Sequence, residues 1–365
     1  MKICFLLHSA YGMRGHVRAA LNLAAELTAR HEVEVLSVRR IREQPFFPVH
    51  PDIRLRWLVD ARPGVRHLLP HGHVRTEVAL WRALRGLRCD ALITTRPALA
   101  LQMARYAPRE IIRVAREWSL PAVLAPIRRH YPRLDAVVSA TEAARWEWVG
   151  ALDDMPGAPD VHVLPDALPA GPQPRSRMDN RIVSAGGRLV PVKAYDRLIR
   201  AFDIVAGKRP DWRLRLYGGG PEEKRLRALV GELNLHNHVF FMGTTPDLVG
   251  EFAKASIVAV TSRAETLGMT VLEALGCGVP VVGFDSPRGP GEFVTSGRDG
   301  VLVPEGKGEI EAYAAALLAL IDDERRRVAL ARGALRTADA YAVAGVASRW
   351  EELLADLRTK KRAPG

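Results

Sequence analysis

Three cysteines, 6% aromatic side chains and no uninterrupted apolar run of about 18 residues set the first limits on this 365-residue chain. Cys4, Cys89 and Cys277 are scattered and lack metal-type spacing, which excludes a disulfide scaffold and fits buried thiols in a reducing compartment. The missing apolar run excludes a membrane-spanning helix. Met1-Lys-Ile-Cys4 opens a strand rather than a signal peptide, so the expected location is cytoplasmic, with peripheral contact at the inner face of the membrane left open. No Asp-x-Asp occurs. The neighbours Asp153–Asp154 and Asp322–Asp323 sit in polar surroundings that read as surface. The pairs His71-Gly-His73 and His236-Asn-His238 lack Cys or carboxylate companions, so no metal is expected. Neither a solenoid repeat nor a low-complexity tract is present.

What is there is the composition of a globular protein, 48% apolar and 26% charged. The length exceeds the roughly 250–300 residues that one core supports, so two domains are expected. The formal net charge of +12 is unevenly placed: residues 1–133 hold 23 Lys and Arg against 10 Asp and Glu, and residues 134–365 hold 30 against 31. All the excess lies in the first domain. A basic domain favours anionic partners, or else it is an Arg-rich solvated surface.

Short apolar runs alternate with helical patterns along the first third. Strands are expected at Ile3–Leu7, Glu32–Val38, Ile53–Val59, Ala91–Thr94, Ile111–Ala115 and Ala136–Ser139, with helices at Val17–Ala29, Thr76–Leu87 and Ala98–Tyr106. This alternation implies parallel sheets with helices on both faces, whose ligands lie at the carboxyl ends of strands. The first strand runs into His8-Ser-Ala-Tyr-Gly-Met-Arg-Gly-His16, where Gly12 and Gly15 permit close backbone approach. The segment 78–88 reads as an α/β helix with an Arg-rich outer face, or alternatively as a basic helix lying on an anionic membrane. Four prolines between Pro165 and Pro174 mark a stiff connector. The expected organisation is therefore a first domain over 1–165, a linker over 166–177, a second domain over 178–340 and a closing helix and tail over 341–365.

Chemistry concentrates in the second domain. After a strand at Arg181–Ala185, Gly186 and Gly187 allow backbone approach, and Arg188 and Lys193 can neutralise a diphosphate. Tyr217-Gly-Gly-Gly-Pro221 and Phe241-Met-Gly243 follow two further strands. Residues 269–276 read as a helix apolar on every side except for Thr270 and Glu273, hence buried. A buried carboxylate needs a bonded partner, and helical side chains lean toward the N-terminus, so Thr270 and Glu273 aim at the Gly268 end. That end suits a phosphate. Glu265 lies in the loop approaching it. The alternative is that Glu265 serves only the helix dipole and Glu273 a structural ion pair.

Taken in order, Gly187-Arg188 with Lys193, Tyr217-Gly-Gly-Gly-Pro221, Glu265-x7-Glu273 and Gly278-Val-Pro-Val-Val282 resemble the retaining glycosyltransferases of the group 1 family, glycosyltransferase family four. Asp285-Ser-Pro-Arg-Gly-Pro-Gly-Glu292 looks most like the branch with poly(glycerol-phosphate) α-glucosyltransferases and polysaccharide-building relatives. The resemblance implies an α/β GT-B fold: two facing Rossmann-like domains, a central cleft, and a C-terminal helix crossing back to the first domain. It implies transfer of glucose or an N-acetylhexosamine, with retention and without metal or other cofactor, from a UDP-sugar to an anionic, polyol-phosphate or cell-envelope glycan acceptor. Arg188 and Lys193 would stabilise the departing diphosphate, and Glu265 would contact the donor sugar. Glu273 would accept bonds from the ribose. Gly15, Gly187, Gly218, Met242, Thr266, Leu267, Gly268, Met269 and Thr270 would border the donor, and Arg14, His16, Glu117 and Trp118 the acceptor.

Two departures from the pattern stand out. Relatives commonly carry Gln-Glu-His where this chain has Arg116-Glu117-Trp118, and Glu-x-Phe-Gly where it has Glu265-Thr-Leu-Gly268. A catalytically silent nucleotide-sugar or glycan binder, and a nucleotide-sugar epimerase on the same scaffold, are the alternative readings. Nucleic acid is not expected as a partner, since no recognisable module accompanies the basic charge.

Overall fold

The structure is a computed structural model that describes residues 1–65, 73–118, 120, 123–264, 268–286 and 289–362. The chain forms two compact units, Met1–Ala170 with Ala342–Gly365, and Gly171–Tyr341. In the first, strands β1 Lys2–Leu7, β2 Glu32–Arg40, β3 Arg54–Asp60, β4 Ala91–Thr94, β5 Ile112–Glu117, β6 Ala136–Ser139 and β7 Asp160–Val163 form one sheet. Their order is β3-β2-β1-β4-β5-β6-β7, and neighbours run parallel. Helices α1 Gly15–Leu27, α2 His73–Arg85, α3 Pro97–Tyr106, α4 Ala125–His130 and α5 Glu142–Leu152 connect them. Every residue of β4, β5 and β6 is buried, because a parallel sheet covered on both faces leaves its central strands no contact with water.

The second unit repeats the scheme. Strands β8 Ile182–Gly186, β9 Arg213–Tyr217, β10 Val239–Gly243, β11 Ile257–Val260, β12 Val281–Asp285 and β13 Gly300–Pro304 lie in the order β10-β9-β8-β11-β12-β13, again parallel. Its helices are α6 Tyr195–Lys208, α7 Glu223–Glu232, α8 Leu248–Phe252, α9 Met269–Gly276, α10 Glu309–Asp322 and α11 Glu324–Asp339. Tyr313 of α10 ties the two strands beneath it together: its buried hydroxyl accepts from the Val260 amide at 3.1 Å and donates to the Val282 carbonyl at 2.6 Å. The final helix, α12 Val343–Arg362, belongs to the first unit, where Val346, Trp350 and Leu354 join the core shared with α1.

In each sheet the strand order reverses once, between β1 and β4 and between β8 and β11. At such a switch the loops leave in opposite directions and open a crevice at the carboxyl ends. The connections after β1 and β8, which carry Arg14–His16 and Gly187–Lys193, leave these two points.

Candidate active site

In the second unit three loops meet through their backbones. The Gly187 amide donates to the Tyr217 carbonyl at 2.9 Å, Leu189 to Gly219 at 3.1 Å, and Gly218 to Gly243 at 2.7 Å. These contacts require glycine. A Cβ on Gly218 would collide with the Gly187 carbonyl, and one on Gly220 with that of Leu189, while Gly187 and Gly218 hold φ of +141° and +138°. The loops after β8, β9 and β10 thus converge. Met242 stands at the rim, 46% exposed, beside a shift in the register of β10 against β9.

Lys193 and Arg188 occupy different settings within this edge. A Cβ on Gly187 would meet the Tyr195 hydroxyl at 3.0 Å and Lys193 Cε at 3.4 Å, so the partly buried lysine lies along the glycine turn. Arg188 is exposed. The Thr261 hydroxyl donates to the Lys193 carbonyl at 3.1 Å and the Arg263 amide to the Val192 carbonyl at 2.9 Å. These two bonds join the loop after β11 to the turn after β8 across the switch point, a link with no signature in the sequence.

Helix α9 starts at Gly268, whose φ is +58°; a Cβ there would run into the Phe293 ring. Among the described residues no side chain caps this N-terminus and no acid occupies its first turn, and its first backbone N–H groups and partial positive charge suit an anion. Met269 and Glu273 are buried, and the Thr270 hydroxyl reaches the Gly186 carbonyl at 3.4 Å. Thr270 therefore ties the start of α9 to the end of β8. Glu265, Thr266 and Leu267 lie outside the described residues, as does His71.

The first unit's edge is built from side chains. The Arg39 amide donates to the His8 carbonyl at 3.0 Å, and the registers Leu6–Thr94 and Thr94–Ala115 carry the row on to Arg96 and Glu117. Exposed Arg14 is the N-cap of α1, and Gly15 is its first residue. Burial and the fields of Arg96, Arg39 and Arg14 lower the His8 pKa. His8, Arg39 and Arg96 escape a motif search because only the register of neighbouring strands brings them together. Gly12 needs no special conformation: a Cβ there would find ordinary spacing, 3.5 Å from the Ser9 carbonyl.

Trp118 and Glu117 point to opposite faces of the sheet. The Trp118 ring packs on His16 with centroids 5.4 Å apart and lies 5.8 Å from the Arg116 guanidinium, which pairs with buried Asp166 and covers Trp350. Glu117 has no exposed surface and accepts a bond from the Tyr131 hydroxyl at 2.7 Å. Burial raises its pKa well above the carboxylate range, with the Tyr131 bond and Arg96 opposing. Of the four acceptor candidates, the structure leaves Arg14 exposed and His16 partly buried, and takes Trp118 and Glu117 into the interior. Among the described residues no group of three or more His, Cys, Asp or Glu could hold a metal ion.

Residues 171–337 match the family model "Glycosyl transferases group 1". An exopolysaccharide phosphotransferase of Streptomyces coelicolor is 35% identical over 398 aligned positions, which take in the whole of this chain and 42% of that protein. A GDP-mannose-dependent α-(1-6)-phosphatidylinositol monomannoside mannosyltransferase of Mycolicibacterium smegmatis is 32% identical over 234 positions, 58% of this chain and 60% of the other. The chain thus spans less than two thirds of either relative. In solved structures, Anabaena HepE in complex with UDP and glucose superposes with a TM-score of 0.74 at 20% identity, covering 97% of this chain and 99% of that one.

Proposed function

Residues 171–337 of this chain are a group 1 glycosyl transferase domain within a GT-B fold, and from that premise we propose that the chain is a retaining hexosyltransferase. It moves glucose or an N-acetylhexosamine from a UDP-sugar to an anionic or polyol-phosphate glycan acceptor. The observation that carries this reading is the junction of three glycine loops beside the N-terminus of α9, with Arg188 and Lys193 on the same edge. Backbone amides and two cations are what a diphosphate asks for.

In this reading the bond between the sugar C1 and the β-phosphate oxygen breaks while a new bond forms from C1 to an acceptor hydroxyl oxygen on the same face. The hydroxyl proton passes to the departing phosphate. Arg188, Lys193 and the α9 amides stabilise the charge growing on that phosphate, and no metal is required. Glu273 accepts the ribose hydroxyls, Glu265 holds the sugar, Gly15 borders the donor, and Arg14 and His16 serve the acceptor. UDP is bound in the solved Anabaena structure, and the mycobacterial relative is named for GDP-mannose, so the base is the point a donor panel decides.

The full chain incubated with UDP-, GDP-, ADP- and TDP-sugars, without added metal and with the Arg188→Ala and Glu273→Ala variants beside it, tests the reading through nucleoside diphosphate release. Release from a UDP-hexose that resists chelator and is lost in both variants is expected. Release that needs a divalent ion, or that survives both substitutions, would contradict the assignment.

A further inference from the structure

Three arginines gather around one imidazole at the carboxyl edge of the first unit. Leu6 pairs with Thr94, so two residues on, past the strand ends, His8 and Arg96 stand side by side. The Arg39 amide donates to the His8 carbonyl at 3.0 Å, and Arg14 follows His8 in the same connection, as the N-cap of α1. Burial, then the charges of Arg96, Arg39 and Arg14, lower the His8 pKa, so its ring is neutral at pH 7. Arg96 is half-buried, and burial followed by the Arg14 charge lowers its pKa in turn.

Elsewhere in this unit several arginines are matched by acids: Arg56 by Glu34, Arg62 by Asp60, Arg113 by Asp135 and Arg116 by Asp166. Among the described residues the guanidinium groups of Arg14, Arg39 and Arg96 have no ion-pair partner. The acid whose charge bears on Arg96 is Glu117, which is fully buried and bonded to Tyr131, where burial favours its uncharged form. Two helices also begin here. Arg14 and Arg96 are the N-caps of α1 and α3, neither makes a capping bond, and no acid occupies the first turn of either helix. Because the strand order reverses between β1 and β4, the two positive helix ends flank one crevice. Like charges held this close repel, and an anion among them relieves the repulsion.

We propose that the edge around His8 seats a phosphate monoester carried by the acceptor, with Arg14, Arg39 and Arg96 as its counter-charges and the His8 ring donating a further hydrogen bond. A guanidinium fork meets two oxygens at once. Three such forks and two helix ends exceed what the single charge of a carboxylate or a phosphodiester calls for, whereas a phosphate monoester carries about −1.5 to −2 at pH 7. A nucleic-acid strand tracks a stripe of cations, and these are gathered round one ring. The proposal deepens the transferase reading and rests on it for calling the ligand an acceptor. Binding is measured without a donor sugar, so either can fail alone.

The test is calorimetric titration of glycerol 3-phosphate into the full chain, with inorganic phosphate, glucuronate and glycerol as comparisons. One site per chain is expected for glycerol 3-phosphate, about tenfold tighter than for glucuronate, absent for glycerol and unchanged when UDP is present. Arg39→Ala and Arg96→Ala should each weaken binding about tenfold, and Arg96→Lys should recover part of that loss. Arg39 is exposed, so its variant should melt as wild type does. Arg133→Ala, exposed elsewhere on the same unit, should bind as wild type. Binding that survives Arg39→Ala and Arg96→Ala, or that Arg133→Ala weakens as much, overturns the proposal. So does displacement by UDP, glucuronate binding as tightly, or no binding at all. Inorganic phosphate binding more tightly than glycerol 3-phosphate would mark a site for the free ion and overturn the acceptor assignment. Glycerol 3-phosphate bound as expected by a chain that releases no nucleoside diphosphate from any donor would count against the transferase reading alone.

Discussion

The two sheets share a topology and finish their carboxyl edges by opposite means. Behind β8, β9 and β10 the edge is made of backbone: amides bond to carbonyls of neighbouring loops, and glycines stand where a Cβ has no room. Behind β1, β2, β4 and β5 it is made of side chains, with Arg14, Arg39, His8, His16 and Arg96 around the turn into α1. An edge of backbone amides fits a group whose chemistry does not vary, such as a diphosphate. Long side chains fit a partner that must be chosen among several. Under the proposed function the backbone edge is the generic one and the side-chain edge the one that sets selectivity.

The largest expected effect breaks that contrast at its charged residues. Arg188→Ala should lower turnover by about 10²–10³ with melting unchanged, because the side chain is exposed and acts only on developing charge. Arg14→Ala should raise the acceptor KM and leave nucleotide affinity as it was; the reverse pattern in kinetics would exchange the roles of the two edges. Next come the glycines. Gly218→Ala should destabilise the chain by about 2–3 kcal/mol in urea unfolding, from its positive φ and the Gly187 carbonyl, whereas Gly12→Ala should stay within about 0.5 kcal/mol. Equal losses would remove the distinction between a backbone edge and a side-chain edge.

Glu117 sharpens the comparison through pH. Its folded pKa is raised by burial, so the folded chain keeps a proton that the unfolded chain has released. Stability should therefore fall as pH rises from the ordinary carboxylate value through the raised one. Glu117→Gln should flatten that part of the curve, followed by urea unfolding between about pH 4 and pH 8. An unaltered slope would mean that Glu117 is not the group responsible. The smallest effect belongs to Thr270→Val, which removes a long hydrogen bond to Gly186 and should cost about 0.5–1 kcal/mol, seen as a few-fold rise in donor KM.

Much of this is legible in the residues, and the remainder has physical reasons for being hidden. The buried helix over 269–276 follows from its apolar circumference and coincides with α9. The glycine loops announce themselves because only close backbone approach explains so many glycines at strand ends. By contrast β7 has one exposed and three partly buried residues, so no apolar run marks it. Likewise β13 begins at a glycine and ends at a proline, the punctuation of a turn; packing against the Val281 carbonyl is what demands Gly300. The setting of Trp118 is not legible in the sequence, because the residues around it come from other parts of the chain. It is buried, with His16 and Arg116 against its ring, and Arg116 in turn covers Trp350. His8, Arg39 and Arg96 lie far apart in the chain, and strand register alone joins them.

The central claim is that the glycine-built edge of the second unit, and not the arginine-rich edge of the first, holds the nucleotide. Calorimetric titration of UDP into the full chain and into Arg188→Ala, Glu273→Ala, Arg14→Ala and Arg39→Ala tests it most directly. One site per chain is predicted, weakened about tenfold or more by the first two substitutions and unchanged by the last two. Affinity that follows Arg14 and Arg39 while ignoring Arg188 and Glu273 would contradict the account.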